Sequence, residues 1–139
     1  MWLISGEDCL EIRFDVYEPG EYEYVEISFR FEMEKVGWGA VGDSYFSTKA
    51  IAEISVALEK ISRHEIKEFH YSDIDPHLIP KPFYWLDIER IDDNNTSFYL
   101  KIHDCLDDYI DIKEIVTEEK MCEIRDEFKK AAEDYRVIE

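Results

Sequence analysis

A chain of 139 residues can bury one sizeable core, and 45% apolar with 14% aromatic residues excludes a disordered chain. With 34 acids against 16 bases the net charge is −18, a field that repels anionic membranes and, by the same reasoning, excludes nucleic acid as a partner. Cys9, Cys105 and Cys122 form no CxxC pair, which argues against a disulfide framework or zinc ribbon and suits reduced thiols in the cytoplasm.

The N-terminus, "MWLISGEDCLEIRFDV", lacks the basic region and apolar run of a signal peptide, and no stretch reaches the length of a membrane span. "CLEIRFDVY" alternates, with Leu10, Ile12, Phe14 and Val16 of one parity and Glu11, Arg13 and Asp15 of the other, as in a half-buried strand. After a turn at "EPGE", "YVEISFRFEME" alternates again, with Val25, Ile27, Phe29, Phe31 and Met33 inward. The two strands predict an antiparallel hairpin with one wet face. A third strand runs from Trp38 towards Phe46.

The period then changes. Ile51, Ile54, Leu58 and Ile61 fall three or four apart, which marks an amphipathic helix capped by Ser47 or Thr48. Residues 63–82 carry prolines and little periodicity, and are expected to form a long connection with an extended edge piece. "FYWLDIERI" and "SFYLKIHD" predict two strands joined at "DDNNT", which makes the Asn94-x-Thr96 sequon a turn. "YIDIKEIV" predicts another strand, with Ile110, Ile112 and Glu114 of one parity and Tyr109, Asp111 and Lys113 of the other. Thr117 caps a last helix, whose apolar stripe is Met121, Ile124, Phe128, Ala131 or Ala132, and Tyr135. No internal repeat is evident. The order gives one α+β domain over residues 1–139, an antiparallel sheet of about six strands with two helices packed on one face.

"GWGAVGD" contains Gly37-x-Gly39-x-x-Gly42, the spacing of a dinucleotide-binding loop. That loop needs a helix starting at the glycine turn, where its N-terminus holds the pyrophosphate. The helix here begins near Thr48, and Asp43 would set a carboxylate beside the phosphates. The glycines are therefore expected in a strand around Trp38.

His64, His70 and His77 lie in or near the irregular connection with Asp73 and Asp75, but no metal-ligand spacing links them, so solvated loop residues are expected. No nucleophile motif or P-loop occurs, and neither a catalytic residue, a cofactor nor a metal is expected. The acids are more informative. Residues 104–119 hold seven acids and one lysine, and residues 1–34 hold ten acids and two arginines. Tyr17, Tyr22, Tyr24, Tyr99 and Tyr109 are interleaved with them. Rings beside carboxylates suit a protein-binding surface that selects a basic partner, with Asp104, Asp107, Asp108, Tyr109 and Asp111 as the candidate contacts.

The order of the "LEIRFDVYEPGEYEYVEISFRF" hairpin, the tryptophan strand "VGWGAVGDSYFST", the helix "KAIAEISVALEKI" and the strands "YWLDIERI" and "FYLKIHDCLDDYIDIKEI" resembles the WapI-type immunity proteins of bacterial polymorphic toxin systems. The resemblance implies a cytoplasmic, non-enzymatic inhibitor that binds a cognate basic toxin domain, such as a nuclease, as a phosphate mimic. Two other readings stay open: a small-ligand or enzymatic domain with a pocket at the His70 to Trp85 connection, and an acidic subunit of a protein assembly.

Overall fold

Alternating strands end directly in capped helices, twice over, in the computed structural model. It describes residues 2–5, 8–14, 20–33, 38–73, 83–103 and 109–137, with side chains over 20–25, 47–72, 85–101 and 113–136. The first half holds β1 (Trp2–Ser5), β2 (Asp8–Phe14), β3 (Gly20–Tyr22), β4 (Tyr24–Met33), β5 (Trp38–Ser47) and α1 (Thr48–Ser62). The second holds β6 (Glu68–Asp73), β7 (Phe83–Asp92), β8 (Asn95–His103), β9 (Tyr109–Thr117), α2 (Glu118–Asp134) and β10 (Tyr135–Val137). Two four-stranded antiparallel sheets result, in the orders β1-β2-β4-β5 and β6-β7-β8-β9, and β10 pairs in parallel with β3.

The α+β class stands, with antiparallel sheets and two helices. All six expected strands form, and β1, β3, β6 and β10 join them. The hairpin register sets Leu10 opposite Phe31, Ile12 opposite Phe29 and Phe14 opposite Ile27, so the apolar parities of β2 and β4 match. Gly39 and Gly42 take ladder positions in β5 opposite Glu32 and Phe29, in a strand as expected and away from any helix N-terminus.

The two halves repeat one unit, a four-stranded sheet that runs without a loop into a helix. Ser47 and Thr117 are the last residues of β5 and β9 and also the helix caps, accepting from the backbone N–H of Ala50 and Lys120. Ile51, Ile54, Leu58 and Ile61 in α1, and Met121, Ile124, Phe128 and Ala131 in α2, stand at the same offsets from those caps. All eight are buried, and with Val25, Leu86, Ile88, Phe98, Leu100 and Val116 they form one core. Each fully buried apolar side chain contributes roughly 2 kcal/mol. Tyr135 departs from the expected stripe only in its element: it ends α2, opens β10 and meets the edge of Tyr22 with ring centroids 6.3 Å apart.

Arg90 locks the halves together. It is 6% exposed, yet its Nε and Nη2 both donate to the Ile61 carbonyl at the end of α1, at 3.2 and 2.9 Å. Its Nη1 reaches Glu118 Oε2, in the first turn of α2, at 2.8 Å. The same nitrogen donates to the Asp92 and Asp93 carbonyls of the β7–β8 turn. In that turn Asp92 accepts from the Asn94 N–H and the Asn95 side chain, bonds that hold its carboxyl below the usual carboxylate range. Of the sequon expected in a turn, only Asn94 lies there; Asn95 and Thr96 open β8, where Thr96 is buried.

His64 has a structural role. It takes φ 59° just past α1 and donates its N–H to the Ile61 carbonyl. Only glycine adopts that conformation without steric cost. His64→Gly should raise stability by up to about 1 kcal/mol, read as a rise of roughly 2–4 °C in Tm.

Candidate functional site

An antiparallel sheet covered on one face by helices should be polar on the other. In the β6–β9 sheet the inner parity is Leu86, Ile88 and Arg90 on β7, Thr96, Phe98 and Leu100 on β8, and Val116 on β9, all buried. Phe69 and Tyr71 of β6 pack against the same core. The opposite parity is therefore the outer face, and it is not uniformly polar. Trp85 and Tyr99 lie on it half-buried, and Ile91 and Ile115 are 49% and 58% exposed.

The register arranges this face in rows across the sheet. One row runs Ser72, Trp85, Lys101, Asp111. The next runs His70, Asp87, Tyr99, Lys113, and the third runs Glu68, Glu89, Ser97, Ile115. Lys101 Nζ sits 5.4 Å from the centroid of the Trp85 ring, a cation–π contact that holds charge over an aromatic plane. His70 Nδ1 lies 2.6 Å from Asp87 Oδ1, and Lys67 Nζ lies 4.0 Å from Glu89. Asp87 above all keeps the His70 imidazolium protonated above the usual histidine range. Among the described side chains, Lys67, Lys101 and Lys113 balance Glu68, Asp87 and Glu89. The chain as a whole carries a net charge of −18.

The expected contact residues are only partly placed. Asp104, Asp107 and Asp108 lie outside the described residues. Tyr109 and Asp111 open β9, where Tyr109 pairs with His103 and Asp111 with Lys101. Asp111 thus shares a row with Trp85, and the parity expected for Tyr109, Asp111 and Lys113 is that of the outer face. Trp85, Lys101 and Asp87 are not among the contacts that the sequence predicts, and His70 enters that reading only through the pocket alternative. The signal for Trp85 was its parity: Leu86 and Ile88 point to the core, which leaves the tryptophan on the opposite side. Of the histidine connection, residues 74–82 lie outside the described residues. Among the described residues no three His, Cys, Asp or Glu side chains gather as a metal site.

No protein-family model and no curated protein matches the sequence. Solved structures do match the fold. WHY1 from Arabidopsis thaliana aligns over 96% of this chain and 88% of its own, with TM-score 0.60 and 12% identity. The plant transcriptional regulator PBF-2 aligns over 96% of this chain and 80% of its own, with TM-score 0.60 and 12% identity. WHY3 from Arabidopsis thaliana aligns over 96% and 86%, with TM-score 0.58 and 13% identity. The chain shares their fold.

This likeness corrects the WapI-type immunity reading, and with it the basic toxin as partner. The order of strand, tryptophan strand, helix and strand carried that resemblance, but a ββββα unit used twice produces the same order, and acidic composition marks no fold. The alternative of a ligand pocket or an assembly subunit gains no support from these structures either. The exclusion of nucleic acid falls too, since one chain of this fold is a transcriptional regulator. Net charge is not a local property. Fields between exposed charges are screened within about 8 Å at physiological ionic strength, so a ligand meets a face, not the sum over the chain. Among the described residues no helix is long and apolar enough to cross a membrane.

Proposed function

We propose that the chain is a non-enzymatic binding protein for single-stranded nucleic acid, which it contacts with the outer face of β6–β9. The observation that carries this reading is Trp85 under Lys101, with Tyr99 in the next row, on a sheet face that burial does not require to be aromatic. Unpaired bases present π-faces that stack on such rings, whereas a duplex hides them. The fold likeness to a plant transcriptional regulator supports the same class of partner. A free thiol at Cys122 suits a reducing compartment such as the cytoplasm.

Stacking, not counterion release, supplies the affinity in this reading. With Lys67, Lys101 and Lys113 as the lysines among the described side chains of this face, each meeting one phosphate, the slope of log K against log salt should be about −2 or shallower, at roughly −0.7 per contact for single strands. Screening of the long-range repulsion flattens it further. Anisotropy of a labelled single-stranded DNA oligonucleotide, titrated at stepped salt with a duplex of the same sequence alongside, tests this. Saturable binding that prefers the single strand is expected. No binding at low salt, or equal binding of the duplex, would sink the reading.

A further inference from the structure

We propose that His70 is a proton-linked gate on the outer face of β6–β9: the imidazolium opens the face to a polyanion, and the neutral ring closes it. The inference rests on the reading of that face as the nucleic-acid contact.

The geometry sets a single titratable ring between two carboxylates. His70 Nδ1 is 2.6 Å from Asp87 Oδ1, and Nε2 is 3.8 Å from Glu68 Oε2. His70, Asp87 and Glu68 side chains are 62%, 45% and 61% exposed, so the cluster lies where a ligand would pass. The His70 row continues through Tyr99 to Lys113, and so links the cluster to an aromatic ring and a cation of the same face. On β7, Glu89 is the other charged neighbour, and Lys67 pairs with it. Phe69 and Tyr71 of β6 turn to the core side, where α1 packs, so no helix charge faces the ring.

As imidazolium, His70 offsets Asp87 and Glu68. Once it loses the proton, both carboxylates stand uncompensated on the path of the phosphates and repel them. The hydrogen bond that His70 donates to Asp87 raises the pKa, which keeps the ring charged closer to neutral pH than an ordinary histidine. The sign follows. Affinity is full below the folded pKa and falls as pH rises through it. By linkage, a bound polyanion raises that pKa further.

The test compares oligonucleotide affinity of the wild type and His70→Gln at about pH 6 and about pH 8.5, values that bracket the titration of a histidine. His70 ring resonances are followed by NMR with and without ligand. Wild type should bind roughly fivefold more tightly at the lower pH, as a bound-state pKa rise of somewhat under one unit requires, and His70→Gln should show no such ratio. Equal wild-type affinity at both values, or a ratio that survives His70→Gln, would overturn the gate and leave the binding face standing. Absence of binding at every pH would overturn both.

Discussion

Replacing Arg90 by alanine should cost about 3–5 kcal/mol of stability, because it leaves Glu118 and the Ile61 carbonyl without their buried cation. That is a large share of the roughly 5–15 kcal/mol that holds a domain folded. The loss is not of charge alone. The guanidinium spreads its donors over the end of α1, the start of α2 and the β7–β8 turn, three points that a single ammonium cannot reach together. Arg90→Lys should therefore recover little. Glu118→Gln should cost only about 1 kcal/mol, since its side chain is 34% exposed and an amide still accepts one bond. Urea unfolding followed by circular dichroism gives all three values. Equal losses for Arg90→Ala and Glu118→Gln would show that the ion pair, and not the spread of donors, dominates.

Arg90 also shows where sequence reasoning stops. In "YWLDIERI" it occupies an inward parity, and parity alone would flag a buried arginine. What satisfies it is fixed by contacts with Ile61 and Glu118, both nearly thirty residues away. The helices were legible because their information is local: the spacing of Ile51 to Ile61 and of Met121 to Ala131, and the caps Ser47 and Thr117, need no partner to be read. The longer strands were legible through alternation. β1, β3 and β10 were not, since four residues or three carry too few alternations, and "GEY" and "YRV" become strands only by pairing with each other in parallel across the chain. The repeat was hidden because it resides in register and cap offsets rather than in residue identity. The candidate site was half visible. The outward parity of Tyr109, Asp111 and Lys113 could be read, but β7 and β8 had to be brought beside β9 before Trp85, Lys101 and Asp111 became one row.

That row gives the largest functional effect to expect. The double variant Trp85→Ala/Tyr99→Ala should weaken single-stranded DNA binding by roughly a hundredfold, at about 1–3 kcal/mol for each stacked base lost. Each single variant should lose roughly tenfold, with near additivity if the two rings hold different bases. Lys101→Ala should do less, because its charge acts on phosphates through solvent and its contact with Trp85 mainly orients the ring. The salt slope separates the two kinds of contribution. Loss of the rings should lower affinity at every salt concentration and leave the slope unchanged, whereas loss of Lys101 should flatten the slope by about 0.7. Both rings are only half-buried and point away from the core of Ile88, Phe98 and Leu100, so melting temperatures should stay near that of the wild type. Full affinity in the stable double variant would mean that the β6–β9 outer face is not the contact surface. The equivalent face of β1-β2-β4-β5, where Arg13 pairs with Ser28 and Glu11 with Arg30, would then be the place to substitute next.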